Sequence, residues 1–215
     1  IFFAEFIIGR RSQANAFRAF DKLAPGTPWK WVGMVAVTAP VIILSYYSVI
    51  GGWSIQYFFK ACTFGFTERV TQEYLDTMFA GFISSTWAPI LGHTFFLIVT
   101  SLVLLGGVKS GIERFGKVMM PVLYIIVLVI AIWTAMLPGA SEGLSFLFNP
   151  DFSAITPSVC AAALGQAFFS LSLGYGTMLT YASYVSKKEN IASSSVSIAL
   201  SDLVFSLIAS CAIMP

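Results

Sequence analysis

A carboxylate inside one of the most apolar stretches of this chain is the first feature that indicates chemistry. Asp202 is the one charged residue in residues 191–215. An intramembrane carboxylate is costly unless it faces a cavity, a partner or a cation. It lies about twelve residues into its predicted helix, near the midplane, where membrane proteins that move ions bind them. We expect a cation site here; the alternative is a protonated acid with a packing role. Ser201 is a weaker candidate for the same oxygen-ligand role.

A break in a long apolar helix is the second such feature. Residues 152–186 carry no charge, and about 35 residues of helix would measure roughly 50 Å, against a hydrocarbon core of roughly 30 Å. Residues 170–176, SLSLGYG, combine two hydroxyls with two glycines, which lower helix propensity. Unwound backbone at this depth needs partners, and a bound ion or zwitterion can be one. The alternative is that the glycines only allow tight helix packing.

Other polar groups allow two interpretations each. Glu5 could accept hydrogen bonds from the loose backbone of the broken helix, or pair with Arg10 at the interface. One hydroxyl of the pair Tyr46 and Tyr47 could reach a substrate carboxylate, or bond to a neighbouring helix carbonyl. Gly111 and Pro121 stand at the start of one helix, where they predict either a turn that unwinds reversibly or an ordinary kink.

The elements that must position these residues are membrane helices. The chain of 215 residues is 57% hydrophobic and 10% charged, with a mean hydropathy of +0.83, which is more apolar surface than a soluble domain of this size can bury. About 20 apolar residues span a bilayer. Charge-free or nearly charge-free runs of that length occupy residues 31–59, 77–108, 118–141, 152–186 and 191–215, and residues 1–9 read as the end of a sixth helix.

The distribution of charge predicts how these helices are oriented. If the loop after the first helix is cytoplasmic, ten of the twelve basic residues fall on the cytoplasmic side, leaving only Lys60 and Arg69 outside. The first expected helix ends near Gly9. The other membrane helices are expected at residues 30–62, 89–105, 112–137, 152–186 and 191–215, and a short surface helix at residues 67–79. The absence of an initiator Met and of a signal peptide predicts an excised segment. The stretches between the expected helices are too short for a separate soluble domain, so we expect residues 1–215 to be a single transmembrane segment.

Several classes of protein find no support in the residues. Cys62, Cys160 and Cys211 are odd in number and lack metal-ligand spacing, so disulfide scaffolds and zinc sites are not expected. There is no His/Asp/Ser cluster and no nucleotide-binding loop, so we expect neither an enzyme nor a nucleic-acid partner. The partners expected are the lipid bilayer and a small molecule.

Three stretches resemble one known family. Residues 166–176, QAFFSLSLGYG, with TYASY at 180–184, closely resemble the sixth transmembrane helix of the neurotransmitter:sodium symporters. EFIIGR at residues 5–10 and the stretch from Tyr46-Tyr47 to Gly52-Trp53 resemble that family's helices two and three, in order. The resemblance covers the whole chain and implies an all-α segment of a LeuT-type inverted-repeat transporter, from the end of helix two to helix seven. That is about five transmembrane helices plus the end of another, one of them broken.

The resemblance also implies roles for individual residues. Substrate binding would fall to Ile43, Tyr47, Phe169, Ser170, Ser172 and Tyr175, with Phe169 as the lid of an outer gate. Sodium would be bound by Ser170 and Asp202. Supporting and gating roles would fall to Gln166, Glu5, Ser183, Tyr184, Gly111 and Pro121. In many relatives Asn stands where Asp202 does, and a one-residue gap would make Ser201 the counterpart.

The function expected is sodium-coupled symport of an amino acid, apolar or aromatic, by alternating access. Because the Asp202 carboxylate can supply the charge that chloride provides in animal members, we expect no chloride requirement. Short inner loops favour a bacterial cytoplasmic membrane. An ion channel or passive pore using the same polar midplane is the alternative, and it predicts conduction without a substrate. The first and eighth helices, which in this family complete the sites, lie outside these residues.

Overall fold

The fold of the chain is helical throughout the part that the computed structural model describes, residues 1–63 and 71–214. Within these ranges ten α-helices are found: α1 (Phe2–Ser12), α2 (Ala16–Leu23), α3 (Lys30–Cys62), α4 (Gln72–Ser84), α5 (Trp87–Leu105), α6 (Arg114–Ala135), α7 (Ala140–Phe148), α8 (Pro157–Ser170), α9 (Thr177–Ala182) and α10 (Ile191–Ile213). A π-helical turn, Val108–Glu113, leads into α6, and a 3-10 turn, Phe152–Ala154, precedes α8. The all-α prediction is confirmed.

Four helices among the described residues are long and apolar enough to cross a membrane. They are Lys30–Cys62, Trp87–Leu105, Ser110–Ala135 and Ile191–Ile213. The predicted fifth crossing is present as two shorter helices, α8 and α9, separated by residues 171–176. The predicted architecture of five crossings, one of them broken, preceded by the end of another helix, is therefore confirmed.

Short polar residues set where several helices begin. Thr156 accepts a hydrogen bond from the Val159 backbone N–H at 3.3 Å, with Pro157 in the first turn of α8. Asn190 caps α10 in the same way. A side-chain oxygen at this position satisfies an amide that has no partner within the helix, and proline is tolerated just after it. The beginnings of α8 and α10 are thus determined locally.

The chain divides into two compact units, Ile1–Pro40 with Met119–Pro215, and Val41–Val118. In the first unit α1 packs against α9. A Cβ atom on Gly9 would overlap the Leu179 carbonyl oxygen and lie 2.8 Å from the Ala182 Cβ. Small residues at helix crossings let backbones approach in membranes. Beside this contact Phe2, Phe6, Leu173, Ala182 and Ile191 form a buried cluster.

In the second unit a pair of glycines lets α3 and α5 cross closely. A Cβ on Gly52 would lie 2.6 Å from the Gly92 carbonyl carbon and 2.7 Å from the His93 nitrogen. Next to this crossing the Trp53 ring meets the edge of Phe79 on α4, with 5.2 Å between ring centroids. Glycine at both positions is what allows α3 and α5 to approach to this distance.

Two expectations about local structure need correction or extension. Residues 10–30, expected to form a basic loop, contain the helix α2, and α1 runs to Ser12 rather than ending near Gly9. The sequence did not predict α2 because the helix is short and charged. Its buried positions, Ala16 and Ala19, are too few to show a helical pattern. The surface helix expected at residues 67–79 is found as α4, Gln72–Ser84; residues 64–70 lie outside the described ranges.

Candidate functional site

The break between α8 and α9 begins with a specific backbone turn. The Ser172 N–H donates to the Phe169 carbonyl at 3.1 Å, and the Leu173 N–H donates to the Phe168 carbonyl at 2.8 Å. This pair of bonds is the Schellman motif, whose left-handed position is filled by glycine in most helices. Here Ser172 fills it, with φ of 53°. The helix is therefore stopped by hydrogen bonding, not merely weakened by glycine.

The rest of the break is held by a carboxylate from α1. Gly174 and Gly176 have φ of 87° and 68°, a conformation that glycine adopts without steric cost. The Gly174 N–H donates to Glu5 Oε1 at 2.7 Å. The other oxygen, Glu5 Oε2, is buried and has no hydrogen-bond partner among the described residues. Glu5 therefore supports the unwound backbone, and Arg10 donates elsewhere, to the Glu189 carbonyl at 2.6 Å.

Tyr175 links the two sides of the break. Its hydroxyl lies within hydrogen-bond distance of the Phe169 carbonyl, at 3.0 Å, and of the Phe168 carbonyl, at 3.2 Å. These carbonyls belong to the last turn of α8 and already accept from the Ser172 and Leu173 amides of the turn described above. The tyrosine hydroxyl thus reinforces the end of α8 by offering its hydrogen to carbonyls of the last turn.

The residues predicted to bind sodium lie in contact. Ser170, the last residue of α8, donates its hydroxyl hydrogen to Asp202 Oδ1 of α10 at 2.6 Å. The two are 32 positions apart in the chain, and the distance is short for a hydrogen bond between oxygens, as expected when the acceptor is charged. A hydroxyl oxygen and a carboxylate oxygen side by side are hard ligands suited to an alkali cation.

A cavity of about 400 Å³ opens beside Asp202, between α6 and α10. Its lining includes Asp202, Ser201 and Ser197 of α10 and Tyr124 of α6. The Tyr124 hydroxyl donates to the Ser201 carbonyl at 3.2 Å, and its ring packs on Phe205 with 4.7 Å between centroids. Tyr124 thereby holds the backbone next to Asp202 in place. The sequence did not predict this role, because the partner of an aromatic residue within an apolar helix cannot be recognised from its neighbours in the chain. The Asp202 carboxylate, not the Ser201 hydroxyl, is the group that meets Ser170.

Two of the predicted substrate-contacting residues, Ile43 and Tyr47, belong to the second unit. Ile43 is half-buried, and Tyr47 lines a cavity of about 580 Å³ with Ile50, Ser54, Phe58 and Phe95 among its other walls. On α8, Phe169 and Gln166 are exposed. Phe169 is 43% exposed.

The four residues assigned to gates lie in two places, just after α9 and at the start of α6. Ser183 follows α9 and donates its hydroxyl to the Thr180 carbonyl at 2.6 Å, and Tyr184 next to it is exposed. Pro121 lies inside α6, and Gly111 lies in the π-helical turn before it. A Cβ on Gly111 would overlap the Val103 carbonyl oxygen, so this turn depends on glycine.

The support that Glu5 gives the break can be measured. Glu5→Ala removes the acceptor of the Gly174 N–H, and a hydrogen bond to a charged group contributes about 1.5–3 kcal/mol to stability. We expect a lower midpoint of thermal unfolding for the purified protein and weaker ligand binding. Glu5→Gln keeps an acceptor oxygen and should lose much less. Equal losses in the two variants would show that the charge of Glu5, and not its hydrogen bond, supports the break.

Comparison with known proteins places this arrangement in a family. Residues 83–215 match the model of the sodium:neurotransmitter symporter family. An uncharacterised sodium-dependent transporter of Bacillus subtilis, YhdH, is 41% identical over 98% of the chain, which covers 47% of that relative. The sodium-dependent neutral amino acid transporter B(0)AT3 of Mus musculus is 28% identical over 99% of the chain and 38% of its own length.

A solved structure is similar along the whole chain. The crystal structure of MhsT in complex with L-phenylalanine matches with a TM-score of 0.91 and 45% identity, covering 100% of this chain and 48% of MhsT. The chain therefore spans about half the length of the bacterial relative and of the solved structure. The broken helix, the apolar spans and the family match agree, and the chain belongs to the sodium:neurotransmitter symporter family.

Proposed function

We propose that the intact protein carries an amino acid across the membrane together with sodium, by alternating access. The contact between the Ser170 hydroxyl and the Asp202 carboxylate is the observation that carries this proposal. The family consists of sodium-dependent transporters, and not of enzymes. Binding at the midplane, where unwound backbone and a carboxylate meet, is how such transporters couple an ion to a substrate.

Sodium would be bound by Ser170 and Asp202, completed by groups from outside this chain. The Ser170 hydroxyl donates to Oδ1, so its oxygen lone pairs remain available to a cation. Asp202 contributes the negative charge. Gln166, four residues before Ser170 on the same face of α8, would lie beside this site. We include chloride independence in the proposal, because a carboxylate already present makes a second anion unnecessary.

The substrate would be an amino acid with an apolar or aromatic side chain. MhsT was solved with L-phenylalanine, and B(0)AT3 is named for neutral amino acids. Within the first unit, substrate contacts would fall to the hydroxyl of Ser172, the ring of Tyr175 and Phe169 as a lid. Ile43 and Tyr47, in the second unit, keep the substrate-contacting roles that the resemblance implies. Since the Tyr175 hydroxyl donates to carbonyls of α8, the apolar ring of Tyr175 would be the part that contacts the substrate.

Opening to the cytoplasm would involve the remaining residues. Ser183 and Tyr184 follow α9 directly. Gly111 lies within a π-helical turn, a type of helix distortion that is frequent at functional sites, and Pro121 lies in the helix α6 that follows it. We assign the first pair to an inner gate and the second to reversible unwinding of α6. The whole chain would be one membrane-embedded segment of a multi-pass protein of a bacterial cell membrane.

A binding experiment tests this function. The full-length protein would be reconstituted and incubated with radiolabelled phenylalanine, leucine, lysine or glutamate, in sodium or potassium at equal ionic strength. Each condition would be repeated with chloride replaced by gluconate. We expect saturable binding of phenylalanine or leucine that requires sodium and is unchanged without chloride, because the proposed site already carries a carboxylate.

Two other outcomes would contradict the proposal. Amino-acid binding that is the same in potassium would show that sodium is not the coupled ion. Sodium conductance without any amino-acid binding, in protein shown to be folded, would favour a channel. Preference for lysine or glutamate would leave sodium coupling intact and overturn only the substrate class.

A further inference from the structure

A surface with both basic and aromatic side chains is formed by α2, the residue before α3 and the first residues of α3, outside the site described above. Residues 10–30 contain five basic residues and a single acidic one, Asp21. Within this segment we define the interfacial surface as Phe17, Arg18, Trp29, Lys30 and Trp31. It belongs to one compact unit. None of its residues takes part in the proposed binding of sodium or substrate.

The helix α2 packs closely against the beginning of α3. Asn15 caps it by accepting from the Arg18 backbone N–H at 2.9 Å. A Cβ on Gly33 would lie 2.8 Å from the Ala16 carbonyl oxygen and 2.9 Å from that of Phe17, so α2 rests on the backbone of α3. Lys22 donates to the Ser12 carbonyl at 2.8 Å and ties α2 back to α1. The Lys30 end of α3 is one helical turn from this contact.

The exposed side chains of α2 and of the beginning of α3 include both aromatic and basic residues. The side chains of Phe17, Trp29 and Trp31 are 47%, 57% and 60% exposed. The Lys30 Nζ lies 5.8 Å from the centroid of the Trp31 ring. The structure records no ion pair for the exposed Arg18 guanidinium within residues 1–63 and 71–214. Tryptophans at the headgroup level and basic residues beside them are typical of a segment lying in the membrane interface.

We propose that the interfacial surface binds the headgroup of an anionic phospholipid in the leaflet next to the Lys30 end of α3. Arg18 and Lys30 would bind the headgroup phosphate, and Phe17, Trp29 and Trp31 would lie at the level of the glycerol backbone. The guanidinium offers a planar pair of donors that fits phosphate oxygens. The excess of basic residues predicts that this leaflet is the cytoplasmic one, where anionic lipids attract such clusters.

The loop before α10 provides a matched control. Lys187 and Lys188 are exposed, and the hydrogen bond from Arg10 to the Glu189 carbonyl places this loop at the end of α1, on the same membrane side. Removing these two charges changes the net charge as much as removing Arg18 and Lys30 does. The matched pair therefore separates a specific surface from a general attraction of anionic lipid to basic protein.

Native mass spectrometry of the full-length protein would measure binding of phosphatidylglycerol and of phosphatidylcholine. We expect phosphatidylglycerol to bind more tightly, and the R18Q/K30Q variant to bind it about 25-fold more weakly, at roughly five-fold for each basic residue removed. The K187Q/K188Q variant should bind it within about twofold of the unaltered protein, because its charges lie outside the surface.

Three results would overturn the proposal. One is unchanged phosphatidylglycerol binding in R18Q/K30Q, which would place the lipid elsewhere. Another is an equal loss in the two double variants, which would indicate attraction by total charge alone. The third is displacement of the lipid by millimolar inorganic phosphate, which would indicate a site for the free anion. Both double variants alter exposed side chains, so their folding can be verified by their unfolding temperatures.

Discussion

Asp202→Asn is expected to weaken sodium-dependent amino-acid binding by about tenfold or more, since each ~1.4 kcal/mol of lost attraction is a factor of ten in affinity. The asparagine keeps an oxygen that can accept the hydrogen bond from Ser170, so the contact between α8 and α10 is retained. What is lost is the negative charge beside the proposed cation. Because chloride can replace that charge, binding by the variant should become chloride-dependent.

Sodium titrations of binding, with chloride and with gluconate, measure this effect. Glu142→Gln is the matched control, because it also removes one carboxylate, from an exposed position on α7, and should leave both titrations unchanged. A similar loss in Glu142→Gln would attribute the effect to net charge. If Asp202→Asn bound amino acid with unaltered sodium dependence and still without chloride, Asp202 would not be the sodium ligand.

Gly9→Ala is expected to destabilise the protein by about 1–3 kcal/mol, the cost of adding a methyl group to a closely packed contact. The added Cβ would overlap the Leu179 carbonyl oxygen, which belongs to the backbone of α9 and cannot rotate away. α1 must then move away from α9. Because Glu5 lies on α1 one turn earlier and accepts from Gly174, the movement should also weaken amino-acid binding.

Thermal unfolding of the purified variant, together with amino-acid binding at saturating sodium, checks both parts. Gly81→Ala on α4 is the control, because beyond the adjoining backbone of its own helix no heavy atom of the described residues lies within 4 Å of its Cβ position. Alanine is a better helix former than glycine by roughly 0.8–1 kcal/mol, so this variant should be as stable as the unaltered protein or slightly more. A stable, fully active Gly9→Ala protein would show that α1 and α9 do not pack as described.

The helices of this fold could be predicted because lipid imposes a length and a composition on each crossing. The apolar run that predicts residues 30–62 gives the bounds of α3 directly, Lys30–Cys62. The amphipathic helix α2 obeys no such rule. Its buried positions Ala16 and Ala19, with Asn15 as cap, follow helical spacing, but eight residues with three charges do not stand out from a loop.

For the site, the sequence indicates the reactive groups but not their partners. Asp202 and the break after Ser170 each stand out, because a charge and a pair of glycines are unusual at membrane depth. Their contact depends on how α8 and α10 pack, which no local pattern records. Glu5 illustrates the same limit, since its sequence context allows Arg10 or the broken helix as a partner, and only the packing of α1 against α9 selects the Gly174 N–H.

Ser172 has a consequence for attempts to engineer this protein. It holds a left-handed backbone conformation, φ 53°, that costs a residue with a side chain about 1–3 kcal/mol and costs glycine little. A screen for heat-resistant variants would therefore select glycine here, and with it the loss of a hydroxyl assigned to the substrate pocket. At this position, thermostability and substrate selectivity are opposing design goals.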